Sequence, residues 1–321
     1  MTEKALRTDV EYSGGVGGAE GADKDGGNSG SGAGGSGDDG GSSESAGKYS
    51  GDVGDNVKTE SAGNDIGYVL EVRGVCKRFG GVVATDNINI SAARGRIYGI
   101  IGPNGAGKTT LFNMITGVYV PTEGDILFDG KSLVGMLPYQ IARAGIARTF
   151  QNIRLFGDLT VYDNVRIAYQ QNMTYGLLDG IFKTKKCRSQ ERECAGMCEE
   201  LLGSVELWPY RDETANNLPY GMQRRLEIVR ALATSPRVLL LDEPAAGMNE
   251  DESERLSLVI RNIRETRAGI TILVIDHHMD VIMDVCDEIT VINFGRQLAT
   301  GTPDEIQGNR DVIDAYLGVG D

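Results

Sequence analysis

Eight consecutive residues constrain this chain more than any others: Gly102-Pro103-Asn104-Gly105-Ala106-Gly107-Lys108-Thr109 fits the pattern GxxxxGK[ST]. The apolar run RIYGII precedes it, and KTTLFNMITG follows with helical spacing and a terminal glycine suited to a C-cap. Strand, glycine-rich turn and helix in that order form the context in which this pattern holds phosphate. The glycines let backbone N–H groups turn inward around an anion with no Cβ in the way. The helix directs its N-terminal partial positive charge at the same point. Lys108 adds a mobile positive charge, and the hydroxyl of Thr109 is offered to Mg2+. Together with Thr110, these residues are the expected binding set for ATP.

The second half of such a site needs a carboxylate at the end of a buried strand. Val238-Leu239-Leu240-Leu241 runs into Asp242 and Glu243. Asp242 is expected to hold Mg2+ through water, and Glu243 to polarise an attacking water, so the pair predicts hydrolysis as well as binding. RVLLLDEP and GITILVID flank the helical SERLSLVIRNIRET, a βαβ unit that implies a parallel sheet. Upstream, YVLEVRGVCKRF and NINISAARGRIYGIIG alternate as strands do, whereas roughly 155–235 reads as mostly helical. No internal repeat is visible, so the chain supplies one nucleotide-binding domain.

Composition narrows the setting. Residues 1–65 are rich in Gly, Ser, Asp and Ala and carry 13 acidic against 5 basic side chains, more than half of the net charge of −14. So little apolar surface cannot offset ordering entropy, and this acidic tail, 1–66, is expected to be disordered. The acidic balance excludes a nucleic-acid footprint, which needs a basic face. No apolar stretch approaches the roughly 20 residues of a membrane span, and no secretory h-region is seen. The five cysteines form no CxxC pair, so free thiols in a reducing compartment are expected. Cys194 and Cys198, spaced i, i+4, read as one small apolar residue and one partly exposed thiol rather than a metal pair.

The family is decided by Leu218-Pro219-Tyr220-Gly221-Met222-Gln223-Arg224-Arg225, followed by LEIVRALATSPRVLLLDEP. This segment resembles the signature of the ABC ATPases, and the resemblance runs over residues 68–321. It implies an α/β fold: a P-loop ABC ATPase with a RecA-like mixed-sheet core, an antiparallel β subdomain and a helical subdomain, about 152–232, within a nucleotide-binding domain of 67–321. It also implies further roles. Phe79 matches the aromatic that stacks on adenine, although a core phenylalanine is the competing reading. Gln151, in ARTFQNIRLF, matches the glutamine that senses Mg2+ and water and links to the membrane subunit. His277, in VIDHHM, matches the histidine that contacts the γ-phosphate. Gly221 matches the signature glycine that closes on the ATP of the opposite subunit, and Ala246-Gly247-Met248-Asn249 the loop that crosses that interface.

There are departures. Pro219 replaces the signature serine, so no hydroxyl is available there, and Tyr220 and Met222 replace a glycine and a glutamine. His278 stands where the family usually has Asp. GIARTFQNIRLFGDLTVYDNV, LLLDEPAAGMN and TGTPDEI…DVIDAYLG together look like the ATPases of branched-chain amino-acid importers, with urea and amide importers and a lipopolysaccharide-export ATPase as near relatives. Non-transport ABC ATPases are disfavoured, since tandem domains and long coiled insertions are lacking. The resemblance implies integral membrane permease subunits as partners, a second ABC ATPase, identical or homologous, and an extracytoplasmic solute-binding protein acting indirectly. Its implied location is peripheral, at the cytoplasmic face of the cell membrane.

Overall fold

A computed structural model describes residues 67–317; the segment expected to be disordered, 1–66, lies outside them, as do 318–321. The first elements are strands β1 (Tyr68–Phe79), β2 (Val82–Ala93) and β3 (Ile97–Ile101), then helix α1 (Lys108–Ile115). Strands β4 (Glu123–Phe128) and β5 (Lys131–Ser132), helix α2 (Pro138–Ala144) and strand β6 (Ile146–Arg148) follow. A run of helices comes next: α3 (Val161–Tyr169), α4 (Leu177–Ile181), α5 (Lys185–Ser204) and α6 (Tyr220–Leu232). Strand β7 (Val238–Asp242), helix α7 (Glu250–Thr266), strand β8 (Thr271–Ile275) and helix α8 (Met279–Val285) restore the alternation. Strands β9 (Glu288–Asn293) and β10 (Arg296–Gly301) and helices α9 (Pro303–Gln307) and α10 (Arg310–Leu317) close the described chain.

Two sheets result. One is four-stranded and antiparallel, in the order β2-β1-β4-β5; the other is six-stranded and mixed, in the order β10-β9-β3-β8-β7-β6. In the larger sheet only the β9–β10 pair is antiparallel. Every residue of β3, β7 and β8 is buried, so these strands read as unbroken apolar runs. Alternate side chains still serve opposite faces. Ile97 and Ile101 join a core with α5, α6 and α7, whereas Tyr98 and Ile100 join one with α1 and the antiparallel sheet. Helix α1 is held down by Leu111, Phe112 and Ile115, all fully buried, at roughly 1.5–3 kcal/mol for each such side chain. The helix stops where the sequence anticipated: Thr116 caps it, and Gly117 takes up the left-handed conformation.

One expectation is corrected. Cys194 and Cys198 are both buried, so neither is a partly exposed thiol. Both face the core formed with α3 and α6, and burial pushes the Cys198 thiol up to about 12. At neutral pH it is a protonated, inert side chain. Among the described residues no helix is long and apolar enough to cross a membrane.

Candidate functional site

Strands β3, β8, β7 and β6 are parallel neighbours, and their carboxyl ends fall within about two residues of one another. Ile100 pairs with Ile275, Ile275 with Asp242, and Leu240 with Arg148. The phosphate loop, Glu243, the Asp276–His278 turn and the Phe150–Gln151 segment therefore leave one sheet edge side by side. That edge is where open α/β sheets bind ligands.

The loop after β3 is fixed by contacts that tolerate no side chain. A Cβ on Gly102 would lie 1.9 Å from the carbonyl oxygen of Ile292, and one on Gly107 would lie 2.4 Å from that of Ala84. Gly107, at φ +103°, caps α1 in the left-handed region, while the space beside Gly105 is open. We expect Gly102→Ala to cost about 1–3 kcal/mol by overpacking against backbone that cannot step aside. Thermal melting should fall by about 2–4 °C per kcal/mol, and nucleotide titration should weaken; unchanged values of both would contradict this geometry.

Lys108 is buried and curls back, its Nζ donating to the carbonyl oxygens of Gly102 (2.6 Å) and Pro103 (3.0 Å). Burial lowers its pKa, and the charges of Glu243 and Asp242 oppose that shift. Thr109 is exposed in the first turn of α1. Tyr316 of α10 comes back to the loop: burial raises the phenol's pKa, and a hydrogen bond with the Gly102 backbone opposes it.

Asp242 is buried and paired. Its Oδ2 accepts from Nη2 of Arg148 at 2.6 Å, and Arg148 Nη1 donates to Asn113 of α1 at 2.7 Å. Arg148 was not singled out from sequence; a lone arginine closing the short run IAR was the available signal. Glu243 has φ +47°, a conformation costing a non-glycine residue about 1–3 kcal/mol, and its N–H donates to Ile275 O at 2.7 Å. Gln151 Nε2 donates to Glu243 Oε2 at 2.8 Å, so two residues 92 positions apart meet.

Asp276, fully buried, links the neighbouring loops. Its Oδ2 accepts from Ala245 N at 2.9 Å, and Oδ1 from His277 N (2.7 Å) and His278 N (3.0 Å). The His278 ring turns inward, with Nδ1 2.8 Å from Asp276 Oδ1, which gives this residue the role that sequence left open. The His277 ring is 55% exposed and lies against that of His278, with centroids 4.2 Å apart and planes tilted by 38°. These three residues bring potential ligand atoms within 4.8 Å of one another, but Asp276 Oδ1 is already committed to three donors.

Phe79 is not a core residue: it is 42% exposed at the end of β1, edge-on to Tyr119 with ring centroids 5.1 Å apart. Tyr119 carries no sequence motif and was missed. Gly221 lies in the first turn of α6 under Glu252, whose carboxylate would meet a Cβ there at 2.8 Å. No hydrogen bond among the described residues joins that turn to the phosphate loop of the same chain. Pro219 supplies no hydroxyl; its carbonyl accepts from the N–H groups of Met222 and Gln223.

Below the signature turn, Arg224 is almost completely buried. Its guanidinium donates to Phe150 O at 2.6 Å, to Gln151 O, and to Glu227 Oε2 at 3.0 Å. Glu227 Oε1 accepts from Phe150 N and Arg154 N, at 3.4 Å each. An ion pair inside α6 thus grips the backbone that carries Gln151.

A glycine cradle at a helix N-terminus, a buried lysine within it and paired carboxylates on the next strand but one define a P-loop nucleotide-binding protein. Residues 85–246 match the family model described as ABC transporter, and residues 296–321 that of the branched-chain amino acid ATP-binding cassette transporter. The chain is 45% identical over 250 residues to the high-affinity branched-chain amino acid transport ATP-binding protein BraF of Pseudomonas aeruginosa, covering 78% of this chain and 98% of the relative. LivG of Escherichia coli K12, with the same description, gives the same identity and coverage. Among solved structures, a nucleotide-free ATP-binding cassette from an ABC transporter superposes with TM-score 0.65 at 30% identity, over 78% of this chain and 98% of that one. The ADP conformation of an ATP-binding cassette of an ABC transporter gives 0.67 at 29%, over 78% and 99%. The chain belongs to the ABC transporter family.

Proposed function

We propose that this chain is the ATP-binding and ATP-hydrolysing subunit of an ABC importer that energises uptake of branched-chain amino acids. The observation that carries the catalytic half is the 2.8 Å hydrogen bond between Gln151 and Glu243, at the same sheet edge as the phosphate loop. The cargo rests on the likeness to the branched-chain amino acid transport ATP-binding proteins, at 45% identity over nearly their whole length.

Gly102 to Thr110 cradle the triphosphate, and Phe79, beside Tyr119, offers its exposed ring to the adenine. On binding, Lys108 exchanges two backbone carbonyls for phosphate oxygens, a stronger charge-assisted contact. Thr109, Asp242 and Gln151 present the oxygen ligands that Mg2+ prefers, and the ion supplies neutralisation of phosphate charge. Glu243 accepts a proton from the attacking water, which Gln151 orients. His277, whose ring is half-exposed, contacts the γ-phosphate.

Gly221 acts on the ATP of a second ABC ATPase, identical or homologous. Closure of that pair moves integral membrane permeases through contacts near Gln151, at the cytoplasmic face of the membrane, and an extracytoplasmic binding protein delivers the solute. Such coupling requires ATP to bind the closed pair more tightly than the open one. Lys108→Ala should weaken nucleotide binding by about tenfold or more, the loss of one charge-assisted contact. A fluorescent-nucleotide titration checks this; an unchanged affinity would contradict the assigned cradle.

A further inference from the structure

Helix α4 forms a small knob between α3 and α5 that the nucleotide site does not use. Asp179 closes it on itself: Oδ2 accepts from Gly176 N at 3.2 Å, and Oδ1 from the Thr184 hydroxyl at 2.9 Å. Thr184 N in turn donates to Asp179 O at 3.1 Å. With its polar groups satisfied locally, the knob turns its apolar side chains outward. Leu177, Leu178, Ile181 and Phe182 are 82%, 68%, 64% and 75% exposed. Single exposed leucines are ordinary, but four large apolar side chains on one short turn mark an interaction surface.

The cations beside it point to the partner. Lys183, Lys185, Lys186, Arg188 and Arg192 are all exposed, and none is in an ion pair among the described residues. Of the acids nearby, Asp179 is committed to the knob's own turn and Glu191 to Tyr175 and Arg166, which leaves Glu193, exposed and in no ion pair among the described residues, as one acid against five cations. This basic cluster stands out on a chain of net charge −14. Just before the knob, Gln171 lines the groove shared with Arg148 and Phe150. On the transport reading above, on which this step rests, that groove lies on the membrane side.

We propose that the knob docks on the anionic lipid surface of the membrane. The four apolar side chains enter the headgroup–acyl boundary, while the long basic side chains keep their charges at the phosphates. A bilayer suits this surface because it receives a shallow apolar wedge and a surrounding set of cations with no shaped pocket.

The test is flotation of the purified full chain with phosphatidylcholine vesicles and with mixed phosphatidylcholine–phosphatidylglycerol vesicles. Binding to the mixed vesicles should exceed that to phosphatidylcholine alone by about tenfold or more and weaken with added salt. Leu177→Asp combined with Phe182→Asp should lower it by about tenfold or more, with melting temperature and nucleotide titration unchanged. In a Phe182→Trp variant, the new indole should be quenched by brominated lipid. A wild-type chain that does not float, or a double variant that floats equally well, overturns the proposal. Knob-dependent binding to purified permeases without flotation would also overturn it, assigning the surface to a protein. Vesicle binding is read without ATP hydrolysis, so a failure of the ATPase assignment and a failure of this one are distinguishable.

Discussion

Replacing Glu243 with Gln leaves nucleotide binding intact and lowers ATP turnover by about 10²–10⁴-fold, the range a positioned general base contributes. The amide keeps the length and shape of the carboxylate and still offers an oxygen to Gln151 Nε2, which lies 2.8 Å from Glu243 Oε2. What it loses is the capacity to take a proton. The strained backbone at Glu243, φ +47°, is set by Ile275 O and the Asp276–Ala245 bond, not by the side chain, so the fold should tolerate the change. Phosphate release and nucleotide titration on one preparation check both halves. An active Glu243→Gln protein would remove the assigned base.

Arg224→Met is the second large effect, and it acts on stability and catalysis together. Removing one partner of a buried pair leaves the other charge uncompensated, at about 3–5 kcal/mol. Here Glu227 is the stranded partner, and the carbonyls of Phe150 and Gln151 lose their donors as well. Melting should fall by roughly 10 °C, taking about 2–4 °C per kcal/mol. Glu227→Leu in the same chain should recover part of that loss, because the two changes together remove both charges. Turnover should drop in the single variant, since the backbone beneath Gln151 is no longer held. A double-mutant cycle in melting checks the coupling; strictly additive losses would show that the pair does not act as one unit.

The phosphate cradle was legible in sequence because it is local: a strand end, one glycine turn and one helix start fix it within a short span. The Asp242-Glu243 pair was legible for the same reason, as were the parallel strands with their unbroken apolar runs. What the sequence concealed depends on strand order. Arg148 reaches Asp242 because β6 lies beside β7, and Asp276 reaches Ala245 because β8 lies on its other side. Neither adjacency follows from the order of residues along the chain. Arg224 and Glu227 sit on an amphipathic helix where charge ordinarily marks the solvent face, so their burial was invisible until the Phe150–Gln151 backbone was seen against them. The cysteine pair was misjudged in the opposite sense, because α5 carries charges on most positions around two thiols that face the core. In the same way, the charged stretch after Phe182 hid an apolar turn whose outward face has no partner among the described residues.

The central claim, an ATPase that drives uptake of branched-chain amino acids, is tested most directly by transport. Uptake of labelled leucine and of labelled urea is measured in cells lacking this gene, and again with the wild type or Glu243→Gln restored. The account predicts that leucine uptake alone is lost, returns with the wild type and stays absent with Glu243→Gln. Loss of urea uptake instead, or of neither solute, would contradict the cargo assignment.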